Sequence, residues 1–168
     1  MTGKILAVIL LLTASVPAAA GEAADGYKLY LVRHAEKQSD GSKDPALTEQ
    51  GKARAQKLSA WLSSRNIEDI WSSDYKRTRE TAKPLAESLG KTVHKYDPRK
   101  LEQFSDTLLQ DQHTALIVGH SNTTPELAQL LCNCVIESME ETEYDRLIVV
   151  TIVDGNASVE TLQQSVLH

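Results

Sequence analysis

Apolar and polar positions fall in blocks along the chain that have the lengths of strands and helices. Two short runs are almost continuously apolar, "LYLV" at 29–32 and "ALIV" at 115–118. Such a run is typical of a strand that is covered on both faces of a parallel sheet. Weaker strand patterns occur in "IEDIWSSD" and "KTVHKYD", and two more surround the turn residues Asp154-Gly155-Asn156. The pattern therefore predicts six strands.

Between these strands, four stretches have the three-to-four-residue spacing of amphipathic helices. The first begins after Thr48, whose side chain can cap a helix, and the second ends at Gly90. The second also contains Pro84, which predicts a kink or a late start of the regular helix. The third, "PRKLEQFSDTLLQ", is expected to have Pro98 near its first turn, and the fourth is "TPELAQLL".

Strands that alternate with helices predict an α/β fold. We expect three layers, α/β/α, around a mainly parallel sheet with an antiparallel C-terminal edge hairpin. No repeat or linker divides the chain, so one domain is expected over 21–168. In such sheets ligands bind at the carboxyl ends of the strands. The polar residues that follow the strands are therefore the candidate site residues: Arg33, His34, Ser72, Ser73, Asp74, Arg77, Asp97, His120 and Ser121.

The N-terminal stretch resembles a secretory signal peptide. Lys4 supplies a positive charge, 5–16 is mostly apolar, and 18–20 is an Ala-Ala-Ala cleavage motif. We expect residues 1–20 to be removed after Ala20, which predicts a periplasmic or secreted protein with no stable membrane insertion. The alternative is an uncleaved anchor, because the apolar stretch could reach Ala20.

The two cysteines, Cys132 and Cys134, form a C-x-C pair. A disulfide between them would close a tight ring that the usual geometry disfavours, and two thiols are too few for a structural zinc site. We therefore interpret them as small, partly buried residues at the end of a helix. A strained or intermolecular disulfide remains the alternative.

Basic side chains are concentrated at one edge of the predicted sheet, although the chain as a whole is acidic. It has 18 Lys and Arg against 23 Asp and Glu, a net charge of −5 that argues against a nucleic-acid partner. Arg33 and Arg77 can donate paired hydrogen bonds to phosphoryl oxygens. His34 and His120 can each act as a neutral nucleophile or a charged donor. These four residues predict a phosphoryl-transfer site that requires no metal or other cofactor.

Three motifs, "LVRHAEK", "SSDYKRTRETA" and "VGHSNT", resemble those of the histidine phosphatase superfamily, in its phosphoglycerate-mutase-like branch. The resemblance implies that His34 attacks phosphorus and becomes a phosphohistidine. It also implies that Arg33 and Arg77 clamp the phosphoryl oxygens and that a charged His120 stabilises the transferring group. Because His34 needs one unprotonated nitrogen, we expect its other nitrogen to donate to a carbonyl or similar acceptor.

Two residues are candidates for the acid that protonates the leaving group. The mutase-like members of the family carry a glutamate after the third strand, where "DPRKLEQ" places Glu102, on a helix that could face solvent. Asp97 lies at the carboxyl end of that strand, and we favour it slightly on this ground. The branch with an aspartate directly after the second histidine is not matched, because Ser121 stands there.

The predicted function is a metal-independent phosphomonoesterase of the histidine acid phosphatase type. Its expected substrate is a phosphorylated small molecule or a cell-envelope phosphate, and the loops 38–47 and 132–143 are expected to wall the pocket. Alternatives are a phosphoglycerate mutase, for which the chain is short, a phosphohistidine-protein phosphatase, and a non-catalytic phosphate-binding module. A serine hydrolase is disfavoured because "GHSNT" lacks the glycine that a nucleophile elbow requires after the serine.

Overall fold

The computed structural model of the protein describes residues 26–167. The predicted signal peptide and its cleavage site lie outside the described residues. None of the described helices is long and apolar enough to cross a membrane. The elements follow in the order β1 (Tyr27–Arg33), α1 (Glu49–Leu62), β2 (Asp69–Ser73), α2 (Lys76–Leu89), β3 (Val93–Tyr96), α3 (Leu101–Asp111), β4 (Ala115–Gly119), α4 (Thr123–Cys132), β5 (Arg146–Val153) and β6 (Asn156–Gln163).

The six strands form one sheet in the order β3-β2-β4-β1-β5-β6. The pairs β3–β2, β2–β4 and β4–β1 are parallel, whereas β5 is antiparallel to both β1 and β6. This confirms the predicted mainly parallel sheet with an antiparallel hairpin at its C-terminal edge. The adjacent, parallel β1 and β4 pair Arg33 with Gly119 at their ends. The residues that follow these two strands, His34 and His120, therefore emerge side by side.

Helices cover both faces of the sheet, and each face has its own apolar core. On one face, side chains of α3 and α4 such as Phe104 and Leu127 pack against Leu29 and Leu31 of β1. On the other face, side chains of α1 and α2 pack against Tyr30 and Val32 of the same strand. Successive side chains of a strand point to opposite faces, so the continuous apolar run of β1 serves both cores. The three-layer prediction is confirmed.

The first helix begins, and the second helix ends, as predicted. The side chain of Thr48 accepts a hydrogen bond from the backbone N–H of Gly51, 3.1 Å away, and so caps α1. Gly90 ends α2 in the left-handed conformation, with φ of 63°. Helix α2 runs from Lys76 to Leu89 through Pro84, so the expected late start of its regular part was wrong.

The third helix begins later than predicted. Pro98 lies in a turn between β3 and α3, and the helix starts only at Leu101. The turn is closed by Asp97, whose carbonyl accepts from the N–H of Lys100 and whose carboxylate accepts from the N–H of Arg99, each at 3.0 Å. An aspartate that bonds the backbone two residues further on is a common alternative to a helical start.

Cys132 and Cys134 form a disulfide, which corrects the preferred interpretation of two unpaired thiols. Their Cα atoms are 5.1 Å apart, inside the usual range for disulfides. The intervening Asn133 adopts the left-handed conformation, with φ of 50°, and ends α4. This single turn residue brings the two cysteines together, which spacing alone did not indicate. The disulfide joins α4 to the segment 133–145 that leads to β5.

Candidate active site

The two candidate histidines meet at the carboxyl ends of β1 and β4. The backbone N–H of His34 donates to the carbonyl of Gly119 at 3.0 Å, which continues the parallel pairing of the two strands by one residue. The ring centroids of His34 and His120 are 5.6 Å apart. Arg77 enters from the first turn of α2, immediately after β2. Three separate strand ends therefore supply one cluster, as expected for a parallel sheet, where ligands bind at the carboxyl ends of the strands.

These residues border a pocket of about 360 Å³. All four predicted basic residues line it, and most of its other lining residues are polar. The complete lining is Arg33, His34, Lys37, Tyr75, Arg77, Pro98, Arg99, His120, Ser121, Asn122, Thr123 and Glu141. The pocket is strongly cationic, with Glu141 as its one carboxylate among the described residues.

His34 has one nitrogen held by the backbone and one left for chemistry. Its Nδ1 lies 2.8 Å from the carbonyl oxygen of Ala35. A carbonyl oxygen only accepts hydrogen bonds, so Nδ1 carries the proton and Nε2 keeps its lone pair. The backbone N–H of Ala35 donates in turn to the hydroxyl of Thr81 on α2 at 3.0 Å, which helps to hold the backbone of Ala35 in place. The expected donor bond to a carbonyl is confirmed.

The surroundings of His34 keep its imidazole neutral. The side chain is buried, with the residue 3% exposed. Burial is the main cause that lowers its pKa from 6.5 to about 3, and the charges of Arg33 and Arg77 lower it further. The hydrogen bond to Ala35 opposes this only in part. At neutral pH the Nε2 lone pair is therefore available for attack on an electrophile.

His120 is oriented by a chain of hydroxyl groups from β2 and α2. Its Nε2 lies 2.9 Å from the hydroxyl of Ser73, which lies 3.1 Å from that of Thr78. Thr78 donates its own proton to the carbonyl of Ser73 at 2.8 Å. Ser73 can therefore donate to Thr78 and accept from Nε2–H, an arrangement that leaves Nδ1 of His120 for a ligand.

The pKa of His120 depends on the anions in the pocket. Burial, followed by the charges of Arg77 and Arg33, lowers it from 6.5 to about 4, while Glu141 raises it. These causes favour the neutral imidazole at pH 7. The charged form that the family resemblance implies needs additional negative charge beside the ring, as a phosphoryl dianion would supply.

Arg33 links the pocket to the segment before β5. The guanidinium is buried and its Nη1 donates to the carbonyl oxygens of Glu140, Glu141 and Glu143 at 3.1, 2.8 and 2.9 Å. Its Nη2 donates to the carboxylate of Glu141 at 3.1 Å. The carbon at its centre lies 4.2 Å from the ring centroid of Tyr144. Arg33 is thus a structural centre for this segment as well as a cation in the pocket.

Arg77 has fewer partners. Its guanidinium carbon lies 4.5 Å from the ring centroid of Tyr75, and its Nη1 lies 3.6 Å from a carboxylate oxygen of Asp44. No described residue accepts a hydrogen bond from the buried Nε of Arg77, nor from that of Arg33. Buried donors without an acceptor are costly unless a ligand satisfies them. Both arginines therefore retain donor capacity for an anion.

Neither sequence-predicted acid lies in the pocket. Asp97 pairs with Arg99 on the surface, and hydrogen bonds from the Arg99 side chain and backbone hold the pKa of Asp97 below its usual value. Glu102 lies exposed on α3 and does not border the pocket. The structure brings Arg33, His34, Arg77 and His120 together and leaves both of these carboxylates outside.

Sequence patterns did not single out three residues that shape the site. Tyr75 lies two positions before Arg77 in "SSDYKR", so proximity in the motif could have indicated it. Glu141 and Tyr144 lie in "EETEYD", an acidic stretch without periodicity or motif, and nothing in the sequence distinguished them. The two expected wall loops do reach the site, 38–47 through Asp44 and 132–143 through Glu141.

A family comparison agrees with this geometry. The model described as "Histidine phosphatase superfamily (branch 1)" matches residues 29–100, a range that contains Arg33, His34 and Arg77 at the pocket. Over these residues the chain is similar to the histidine phosphatase superfamily. His120 lies beyond the matched range, and the parallel pairing of β4 with β1 is what brings it to the same pocket.

Individual proteins resemble different parts of the chain. Phosphoserine phosphatase 1 of Hydrogenobacter thermophilus is 42% identical over 76 residues, which span 42% of this chain and 36% of that protein. The solved structure of the protein histidine phosphatase SixA with tungstate has a TM-score of 0.68 at 17% identity, covering 84% of this chain and 99% of SixA. The alpha-ribazole phosphatase of Shigella flexneri has a TM-score of 0.66 at 17% identity, covering 81% and 96%. These structures show that the fold is shared.

Proposed function

We propose that the protein is a metal-independent phosphomonoester hydrolase that works through a phosphohistidine on His34. The observation that carries the proposal is the unprotonated Nε2 of His34, which shares one pocket with two arginines and a second histidine. The match of residues 29–100 to the histidine phosphatase model supports it. The relatives named above as phosphatases support it further, and SixA was solved with tungstate, a tetrahedral oxyanion like phosphate.

In the first step, Nε2 of His34 attacks the phosphorus of the ester. The nitrogen–phosphorus bond forms as the bond from phosphorus to the leaving oxygen breaks. In the second step, water attacks the phosphohistidine, the nitrogen–phosphorus bond breaks, and inorganic phosphate leaves. The carbonyl of Ala35 holds the Nδ1 proton throughout, so it stabilises the positive charge that develops on the imidazole.

The arginines and His120 counter the charge of the phosphoryl group. The unpartnered Nε donors of Arg33 and Arg77 are suited to its oxygens, and each guanidinium is already held against a tyrosine ring. Because these groups are oriented before the substrate arrives, they need little reorganisation as charge moves to the leaving oxygen. A phosphoryl dianion beside His120 favours its protonation, which adds a third cation.

The location and substrate class form part of the proposal. The signal-peptide pattern of residues 1–20 supports a periplasmic or secreted enzyme, and that location favours an extracytoplasmic small phosphate ester or a cell-envelope phosphate as substrate. The mature protein is expected to begin at Gly21. N-terminal sequencing of the exported protein tests this, and a chain that still begins at Met1 would contradict it.

The catalytic proposal is tested with an aryl phosphate and the His34→Ala variant. The wild type is expected to release phosphate in the presence of a chelator and to carry an acid-labile phosphoryl group after rapid quenching. His34→Ala is expected to lose both. His113→Ala is the matched control, because His113 lies outside the pocket, paired with Asp69. Full turnover by His34→Ala would exclude the mechanism, and phosphate binding without turnover or labelling would indicate a binding module.

A further inference from the structure

On the basis of the proposed function, we propose that Glu141 is the catalytic acid that protonates the leaving group. Glu141 lies in the segment between α4 and β5, far in sequence from the motifs that carry the other site residues. Within residues 26–167 it is the one carboxylate that lines the pocket. The assignment replaces Asp97 and Glu102, neither of which borders it.

The contacts of Glu141 place its carboxylate beside the reacting groups. One oxygen accepts from the hydroxyl of Ser121, the residue next to His120, and the other lies 3.1 Å from Nη2 of Arg33. The carboxylate therefore bridges the first and fourth strand ends, the same two ends that present the histidines. A phosphoryl group bound by Arg33 lies within the reach of this side chain.

Depth in the pocket separates the roles of His34 and Glu141. His34 is only 3% exposed, whereas the side chain of Glu141 is 79% exposed. The attacking nitrogen therefore lies at the floor and the carboxylate at the mouth. In-line displacement requires the leaving oxygen to lie opposite the nucleophile, so it faces outward. Glu141 is the carboxylate on that side.

The protonation state of Glu141 is coupled to the substrate. The hydrogen bond from Ser121 is the main cause that lowers its pKa, and the charge of Arg33 adds to it. A bound phosphoryl dianion competes for Arg33 and brings negative charge close to the carboxylate, and both effects favour its protonated form. The acid is thereby formed when substrate is present.

The proton and the bonds balance over both steps. As the nitrogen–phosphorus bond forms at His34, the bond to the leaving oxygen breaks and that oxygen takes the proton of Glu141. The resulting carboxylate then accepts a proton from the water that attacks phosphorus, while the nitrogen–phosphorus bond breaks. Glu141 ends protonated and His34 regains its lone pair.

The segment that carries Glu141 is held firmly enough for this role. Arg33 binds three of its carbonyl groups, and Arg146 at the start of β5 binds the carboxylate of Glu143 and the carbonyl of Glu137. The disulfide between Cys132 and Cys134 fixes its other end to α4. A loop that is tethered at both ends therefore positions the carboxylate. The sequence had instead offered Glu102, which lies on helix α3.

The test compares Glu141→Gln with wild type on phosphate monoesters whose leaving groups range from nitrophenol to simple alkyl alcohols. A nitrophenolate leaves without a proton, so we expect the kcat/KM of Glu141→Gln on that ester, which reports the first step alone, to stay close to wild type. On alkyl esters we expect kcat/KM to fall by about 10²–10⁴-fold, the usual contribution of general acid catalysis. Glu137→Gln removes the same charge from the same segment outside the pocket and is expected to match wild type throughout.

Two results would overturn the assignment. A fall in kcat/KM by the same factor for every leaving group would show a structural role for Glu141. Tighter phosphate binding with an unchanged leaving-group dependence would show that Glu141 only occupies the phosphate position in the free protein. Failure of the proposed function is distinguishable, because wild type itself would then give neither turnover nor a phosphohistidine, and the assignment would fall with it.

Discussion

The two arginines of the pocket have different roles at the scale of single side chains. Arg33 is 2% exposed and is bonded to three backbone carbonyls and the carboxylate of Glu141. Arg77 has one ion pair, to Asp44 at 3.6 Å, and a stacked tyrosine. Arg33 therefore supports the fold of the segment 140–144 as well as the ligand, whereas Arg77 is mainly available to a ligand.

Lysine substitutions are expected to separate these roles. A lysine at position 33 keeps the charge but cannot reach several carbonyls at once, and it leaves buried acceptors without a donor. We expect Arg33→Lys to lower the free energy of unfolding by about 1.5–3 kcal/mol, the range for hydrogen bonds to charged groups. Arg77→Lys is expected to cost less than about 1 kcal/mol. Urea unfolding without phosphate measures both changes.

The same two variants separate stability from ligand binding. Both are expected to weaken the stabilisation that added phosphate gives, because both lose a fork of donors for the anion. Equal unfolding free energies for Arg33→Lys and Arg77→Lys would contradict the structural role assigned to Arg33. An undiminished response of both variants to phosphate would contradict their role in the pocket.

At the scale of elements, the start of α1 is packed directly against the segment that follows His34. Gly51 is the third residue of the helix, and a Cβ atom there would lie 2.3 Å from the carbonyl oxygen of Glu36. That carbonyl also accepts from the N–H of Thr48 at 2.9 Å. The glycine of "LTEQG" is therefore required for close approach between the helix and the loop that follows His34.

Gly51→Ala is expected to destabilise the protein although alanine favours helices. The added methyl group meets backbone that cannot rotate away, and overpacking of this kind costs about 1–3 kcal/mol. This exceeds the gain of about 1 kcal/mol that alanine gives in an open helical position. Urea unfolding measures the change, with Gln50→Ala on the exposed side of the same turn as control. A Gly51→Ala variant more stable than wild type would show that the loop at Glu36 can move to accommodate the methyl group.

The elements were predictable where local chemistry decided them. Thr48 and Gly90 act within one turn of chain, and the apolar runs of β1 and β4 need only burial to become strands. Pro98 and the cysteine pair were misjudged because their outcome depends on a neighbour, the Asp97 carboxylate in one case and the left-handed Asn133 in the other. A pattern of residue types carries no information about such single contacts.

The residues of the site, like the elements, were predictable from the sequence only in part. The four basic residues follow strands or open a helix, so sheet topology alone brings them together at one edge. Glu141 reaches the pocket only because Arg33 gathers the carbonyls of an irregular segment around its guanidinium. That geometry arises from tertiary contacts more than 100 residues apart in sequence, and no local pattern encodes it.

At the scale of the whole molecule, the acidic chain buries its cationic pocket at a cost that depends on pH. The pKa values of His34 and His120 are about 3 and about 4 in the folded protein, against 6.5 for a free imidazole. The main cause is burial, and the charges of Arg33 and Arg77 add to it. Both histidines are held in their neutral form by the fold, so acid favours the unfolded chain, which can protonate them.

Stability is therefore expected to fall as pH drops from about 6.5 towards the folded pKa values. In that window the unfolded chain binds up to two more protons than the folded protein, and each contributes a slope of at most about 1.4 kcal/mol per pH unit. Urea unfolding at pH 7 and pH 5 is expected to show a smaller loss for the double variant His34→Gln/His120→Gln. His113→Gln is expected to show a larger loss of stability than wild type between pH 7 and pH 5. The reason is that Asp69 raises the pKa of His113 in the folded protein, so His113 stabilises the fold at acid pH. Equal pH dependence in wild type and the double variant would show that the pocket histidines are not held neutral.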